Sequence, residues 1–181
     1  MDLVDRLAET QIGATFNQYS DSELRQERLR AYLESKTDAG IVLVGEAAGY
    51  LGARVSGIPF TSERQLTGTG PAEASATVVH RVLRELGIED EVLLWNVVPT
   101  HPGTETSNRA PRREEIETAA PFLSEVLRGR AAIAAGRTAQ AATGAEYVRH
   151  PSHGGAAEFE AGLRRAFATI GRRRARVRRF L

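Results

Sequence analysis

Three short clusters in this chain gather side chains able to do chemistry. The stretch from Val44 to Tyr50, "VGEAAGY", sets a single carboxylate, Glu46, in a frame of glycine and alanine. "LLWN" ends on Asn96, and "HPSHGG" supplies His150, Ser152 and His153. A carboxylate can take a proton or balance a cation, an amide offers a donor and an acceptor side by side, and an imidazole can donate to a developing anion. Each also has a plain structural reading: a solvated glutamate in a tight strand-to-helix turn, an asparagine bridging backbone at a strand end, a turn histidine before proline. Where the chain places them decides between the two.

The elements around the clusters give that placement. Ile41-Val42-Leu43-Val44 reads as a buried strand running straight into Glu46, and "EVLLWN" (91–96) as a strand ending on Asn96. "AAIAAG" (131–136) is a short apolar run closed by glycine, and "EYVRH" (146–150) ends on His150. Between them lie amphipathic stretches. Residues 20–35 put Leu24, Leu29, Tyr32 and Leu33 near one face behind a Ser or Asp cap. Residues 72–86 carry Val78, Val79, Val82, Leu83 and Leu86 at helical spacing, with Gly87 as the stop. A third helix is expected from near Pro111, with Glu114 and Glu115 at its positive end and Pro121 kinking or dividing it. "GRTAQAATG" reads as a brief helix, and a last one covers about 155–170. Strands alternating with helices imply right-handed parallel crossovers. The expected fold is therefore α/β: one domain, three layers α/β/α, around a central, mostly parallel sheet of about four strands. Ligands of such sheets bind beyond the carboxyl ends of the strands, so Glu46, Asn96 and His150 are expected at one crevice.

Composition narrows the class. A chain of 181 residues with 41% hydrophobic content can bury a sufficient core without staples. It has no cysteine, which removes disulfides, thiolate-held iron–sulfur clusters and a thiolate nucleophile. No apolar run approaches the roughly 20 residues of a membrane span, and the opening "MDLVDRLAE" is acidic where a signal peptide would be basic, so a cytoplasmic protein is expected. The net charge of +1 hides an asymmetry: eight arginines and no acid follow position 163, while residues 1–163 carry 16 basic against 23 acidic side chains, a net −7. Residues 1–170 are read as the folded domain and 171–181 as a basic tail, whose Arg172, Arg173, Arg174 and Arg176 could attract a phosphate backbone without reading sequence or could simply be solvated.

Other constellations carry less. His101, His150 and His153 show no metal-ligand spacing, Ser152 beside His153 is no triad signature, and the glycine-rich "GTGPAE" (68–73) follows no strand and lacks the lysine of a phosphate loop. No metal and no cofactor are expected.

Taken together, the clusters resemble the uracil-DNA glycosylase superfamily. "GEAAG" is similar to the "GEAPG" turn of its iron–sulfur branches, "LLWN" to its strand-end asparagine, "HPS" to the start of its last motif, and "NRAPRREEI" (108–116) to the segment those branches place between them. The resemblance covers roughly residues 40–165. It implies an enzyme that takes a base out of the DNA stack and hydrolyses its N-glycosidic bond. In that reading Phe60 is the aromatic platform, Asn96 pairs with O4 and N3–H of uracil, His150 stabilises the departing anion, and Glu46 activates water or stabilises the sugar cation. Gly45, Ala47, Gly49, Tyr50, Ser152 and His153 complete the substrate site. Phe60 taken alone is also an ordinary core residue.

The chain departs from the most active branch in four places. Ala47 stands where that branch has a catalytic aspartate, which leaves the general base to Glu46 or to a water held by backbone groups. Gly49 replaces the tyrosine that blocks thymine's methyl there, with Tyr50 adjacent. Gly154 stands where a leucine fills the emptied duplex, and the cluster cysteines are missing. The expected protein is a monomeric, cluster-free glycosylase acting on DNA that contains uracil or a related deaminated base. Two other readings stay open: a nucleic-acid- or nucleobase-binding homologue that has lost catalysis, and a hydrolase of a small nucleoside-like metabolite.

Overall fold

Runs of branched and aliphatic residues that are apolar at every position, rather than at alternate ones, suit strands covered on both faces. Such runs open β1 (Ile41–Ala47) and make up most of β2 (Val92–Val98) and β5 (Ala131–Ala135) in the central four-stranded sheet of the computed structural model, whose short edge strand, β6 (Glu146–Val148), is more exposed; the structure describes the backbone of residues 1–178 and the side chains of residues 1–172. The four strands lie in the spatial order β2-β1-β5-β6 and are all parallel. Every residue of β2 is buried. A two-stranded antiparallel hairpin, β3 (Gly103–Thr104) with β4 (Ser107–Asn108), sits in the connection after β2.

The period-2 alternation divides the core in two. Val42, Val44, Leu93, Trp95 and Ala134 face one layer, built from α1 (Leu3–Glu9), α2 (Glu23–Ser35), α6 (Arg113–Leu127) and α7 (Arg137–Thr143). Ile41, Leu43, Val92, Leu94, Ile133 and Val148 face the other, built from α5 (Ala74–Leu86) and α8 (Ala156–Arg178). Two short helices, α3 (Ala53–Ser56) and α4 (Glu63–Thr67), fill the long connection between β1 and α5. The expected three-layer α/β architecture is the one observed, with the main sheet entirely parallel.

Differences lie at the helix ends. α6 begins at Arg113, because Arg112 is still extended and its N–H donates to the Glu115 carboxylate at 2.7 Å. Pro121 does not divide this helix. Pro121 and Glu117, the residue whose carbonyl loses its helical partner, are both exposed, so water can satisfy that carbonyl. α8 runs past the expected end at 170 to Arg178. Arg172 is exposed and donates to Thr169 Oγ1 at 3.3 Å, whereas the side chains of Arg173, Arg174 and Arg176 lie outside the described residues. α1, with its Asp2–Asp5 capping box, was not expected, since a seven-residue amphipathic stretch spans too few turns to show a period.

Candidate active site

The sheet register begins the site. Gly45 pairs with Asn96 across the β1–β2 ladder, and both belong to the face covered by α5. A Cβ at position 45 would stand 2.2 Å from Phe60 Cζ and 2.7 Å from Asn96 Oδ1, so glycine here is what lets the ring and the amide close over the strand. Phe60 reaches this point from a turn, Ile58–Thr61, pinned by the buried Ser56 hydroxyl, which lies 2.6 Å from the Thr61 carbonyl and accepts from the Ile58 N–H at 3.0 Å. That turn holds Phe60 at φ +52°, a conformation costing about 1 kcal/mol or more for a residue with a side chain. The strain serves placement: the ring is 7% exposed and its centroid lies 6.3 Å from that of His150.

Asn96 is 3% exposed, and no described residue hydrogen-bonds its amide. Its oxygen and nitrogen are not shut off from solvent, so the amide opens onto the cavity and can pair with what enters it. Glu46 leaves β1 on the opposite side, half-buried, and its Oε2 accepts the hydroxyl of Thr138 at the start of α7.

His150 follows β6 at the other edge of the sheet. Its Nδ1 accepts from the Ser152 N–H at 3.2 Å and lies 2.7 Å from Ser152 Oγ, which assigns the ring proton to Nε2. Burial holds the imidazole below its ordinary value of 6.5, the Glu46 carboxylate works against that shift, and Arg149 and His153 add to it. Nε2–H is therefore the donor of a neutral ring. Because the folded value is lowered, the stability gained from the neutral ring is complete above 6.5 and is lost as pH falls through the lowered value. In an NMR titration of the ring, the His150 midpoint should lie below 6.5 in the native chain and lower still in Glu46→Gln, which removes the opposing charge. A midpoint that rises in the variant would contradict this assignment.

These groups line one cavity of about 390 Å³. Of the residues singled out from the sequence, Glu46, Ala47, Gly49, Phe60 and Asn96 form part of its wall, as do His150, Ser152 and His153. Gly45 lies beneath the ring and amide. Tyr50 is not on the wall; its N–H donates to Asn108 Oδ1 at 2.9 Å. His101 is apart from the cavity histidines and fully buried, its ring nitrogens 2.7 Å from the Ala48 carbonyl and 2.8 Å from that of Thr104, a brace between the loop after β1 and the hairpin. Among the described residues no three His, Cys, Asp or Glu side chains converge as a metal site.

The wall also holds residues that the sequence reading did not single out: Glu73, Ser75, Arg109, Arg137 and Arg149. Arg109 is held bidentately by the fully buried Glu115, at 2.8 and 2.5 Å. That guanidinium, ahead of the other causes, holds the Glu115 carboxyl down at about 2. The pair explains the "NRAPRREEI" segment: Asn108 ties down the loop after β1, and Glu115 both caps α6 and fixes Arg109 against the cavity.

Comparison with known proteins bears on the family and the fold. Residues 33–172 match the uracil DNA glycosylase superfamily. No curated protein matches the chain. Among solved structures, the chain is similar to the crystal structure of wild-type SMUG2 from Pedobacter heparinus, with 14% identity and a TM-score of 0.65 over 95% of this chain and 99% of that one. At that identity the likeness concerns the fold. The family match is independent of it and spans the whole sheet and all three sequence clusters, and on that ground the chain belongs to the uracil-DNA glycosylase superfamily.

Proposed function

We propose that the protein is a monofunctional DNA glycosylase, acting as a monomer, that hydrolyses the N-glycosidic bond of uracil or a related deaminated base. The observation that carries the reading is the Asn96 amide: buried at 3%, unpartnered among the described residues, and set beside the Phe60 ring on the cavity wall. An amide supplies one donor and one acceptor; in the orientation that turns its N–H to O4 and its oxygen to N3–H it complements uracil and opposes the amino group of cytosine. With the base on Phe60, His150 offers its Nε2–H to O2, where negative charge gathers as the bond breaks. Glu46, oriented by Thr138, takes the proton of an attacking water or balances the positive sugar.

Arg137 and Arg149 stand at the cavity, exposed and without a carboxylate partner among the described residues, which suits an approach to phosphates flanking an extruded nucleotide. The test uses labelled oligonucleotides containing uracil, hypoxanthine or xanthine, single-stranded and paired, followed by alkali. Strand breaks at uracil, with the sugar–phosphate backbone intact before alkali, are expected. Tight binding of the same oligonucleotides with no alkali-labile sites would support the homologue that has lost catalysis.

A further inference from the structure

A residue with a side chain keeps φ +52° only where its surroundings hold it there, so each tie on the turn that carries Phe60 bears on where the ring stands. One tie closes over Phe60 itself. Its two neighbours are joined across it, Thr61 Oγ1 donating to the Pro59 carbonyl at 3.1 Å. The same hydroxyl oxygen lies 3.1 Å from Nε2 of His80, on α5. Nδ1 of that ring lies 3.1 Å from Glu89 Oε1, in the single 3-10 turn before β2. Glu89 is gripped in its turn, because Lys36 Nζ donates to its backbone carbonyl at 2.6 Å. The series Glu89, His80, Thr61 has no part in the chemistry above, and none of the three lines the cavity. It ends one residue short of a ring that does.

Donor and acceptor roles give the direction of its effect. Thr61 has one hydroxyl proton and two places to send it. While His80 presents an N–H at Nε2, the Thr61 oxygen accepts from the ring and its own proton stays on Pro59. If Nε2 presents its lone pair instead, that proton turns to the ring and the tie across Phe60 opens. A carboxylate only accepts, so Glu89 calls for a second proton at Nδ1. A ring protonated at both nitrogens meets every contact at once; a ring with one proton gives up a contact on one side or the other. Glu89 thus orients the imidazole, and the imidazole governs the Thr61 tie. The helix that carries it also backs the aromatic ring, since Val79 belongs to the same apolar cluster as Phe60.

We propose that His80, oriented by Glu89, is a positioning residue for Phe60, acting through the Thr61 hydroxyl to hold the ring where the base stacks. The inference rests on the proposed base-binding pose, and its test separates the two. Aromatic NMR resonances of Phe60 in the ligand-free chain are compared for the native protein, His80→Leu, His80→Gln, Thr61→Val and Thr61→Ser. Calorimetric affinity for free uracil is measured alongside, well below the melting temperature of each. Thr61→Val keeps the volume of a buried side chain and removes only the hydroxyl. His80→Gln still offers an N–H near the place of Nε2. In His80→Leu and Thr61→Val the Phe60 resonances should shift and uracil affinity should fall roughly 10-fold, while His80→Gln and Thr61→Ser stay within a few-fold of native affinity with native Phe60 resonances. In a Phe60→Leu background, His80→Leu should cost no further affinity, because the path ends at the ring. An equal loss in both backgrounds would mark a general loss of stability and overturn the proposal. So would native Phe60 resonances in His80→Leu. If the native chain binds no uracil, the proposed base pose falls, and the ring resonances alone decide whether His80 positions Phe60.

Discussion

On the proposed function, His150→Ala should slow release of the base by roughly 10²-fold or more, and Glu46→Gln should do the same, while uracil should bind both variants to within a few-fold of the native chain. The separation follows from what each side chain touches. In the proposed mechanism Asn96 and Phe60 hold the base in its ground state, and neither variant disturbs the Gly45 seat on which they close. In that mechanism His150 acts where charge develops. Its Nε2–H is set by the Ser152 contacts before substrate arrives, so little reorganisation is needed when O2 becomes negative. Glutamine at position 46 still accepts from Thr138 and fills nearly the same volume, but it can neither take a proton nor balance a cation. The two losses should combine to less than their product, because the Glu46 carboxylate also bears on the His150 ring. Single-turnover rates with enzyme in excess, beside calorimetric binding of free uracil, give both quantities. Native rates in both single variants would remove the two residues as catalysts and leave a protein that binds the base without cleaving it.

How much of this could be read from the chain depends on the range of the signal. The strands were legible because two-sided burial leaves uninterrupted apolar runs such as Ile41–Val44 and Val92–Trp95, and the parallel order follows from the helices between them. The three clusters were legible because strand ends in a parallel sheet share one edge. Glu73 was not, because it lies in a stretch, "GTGPAE", whose composition says only loop; its place depends on how the segment between β1 and α5 folds back over Gly49 and Gly52. The task of Arg109 is not legible locally, since nothing near it in the sequence shows that Glu115 is fully buried beneath it. Thr138 is 92 residues from Glu46 along the chain and meets it only through the β1–β5 pairing and the turn into α7. What stayed hidden was contact between loops, which periodicity does not encode.

Gly45→Ala should remove base binding more completely than any change at the chemical groups, although it introduces a single methyl. The added carbon would meet Phe60 Cζ at 2.2 Å and Asn96 Oδ1 at 2.7 Å, both far inside contact distance, and neither partner has an easy retreat. The Phe60 ring is held from behind by a backbone already at φ +52°, in a turn tied by Ser56. Asn96 lies in the fully buried β2, its backbone fixed by pairing with the very residue that is changed. Relief therefore comes from tilting the ring into the cavity or turning the amide off its line, and either movement spoils the paired donor and acceptor on which a uracil edge depends. Overpacking of this kind costs about 1–3 kcal/mol of stability, so the variant should fold with a lowered melting temperature. Affinity for uracil should drop by roughly 10²-fold or more, because the amide contacts and the stacking face are lost together. Calorimetric titration with uracil and a thermal melt of the same sample give both numbers. If alanine at this position left uracil affinity unchanged, Phe60 and Asn96 would not be the two surfaces that hold the base.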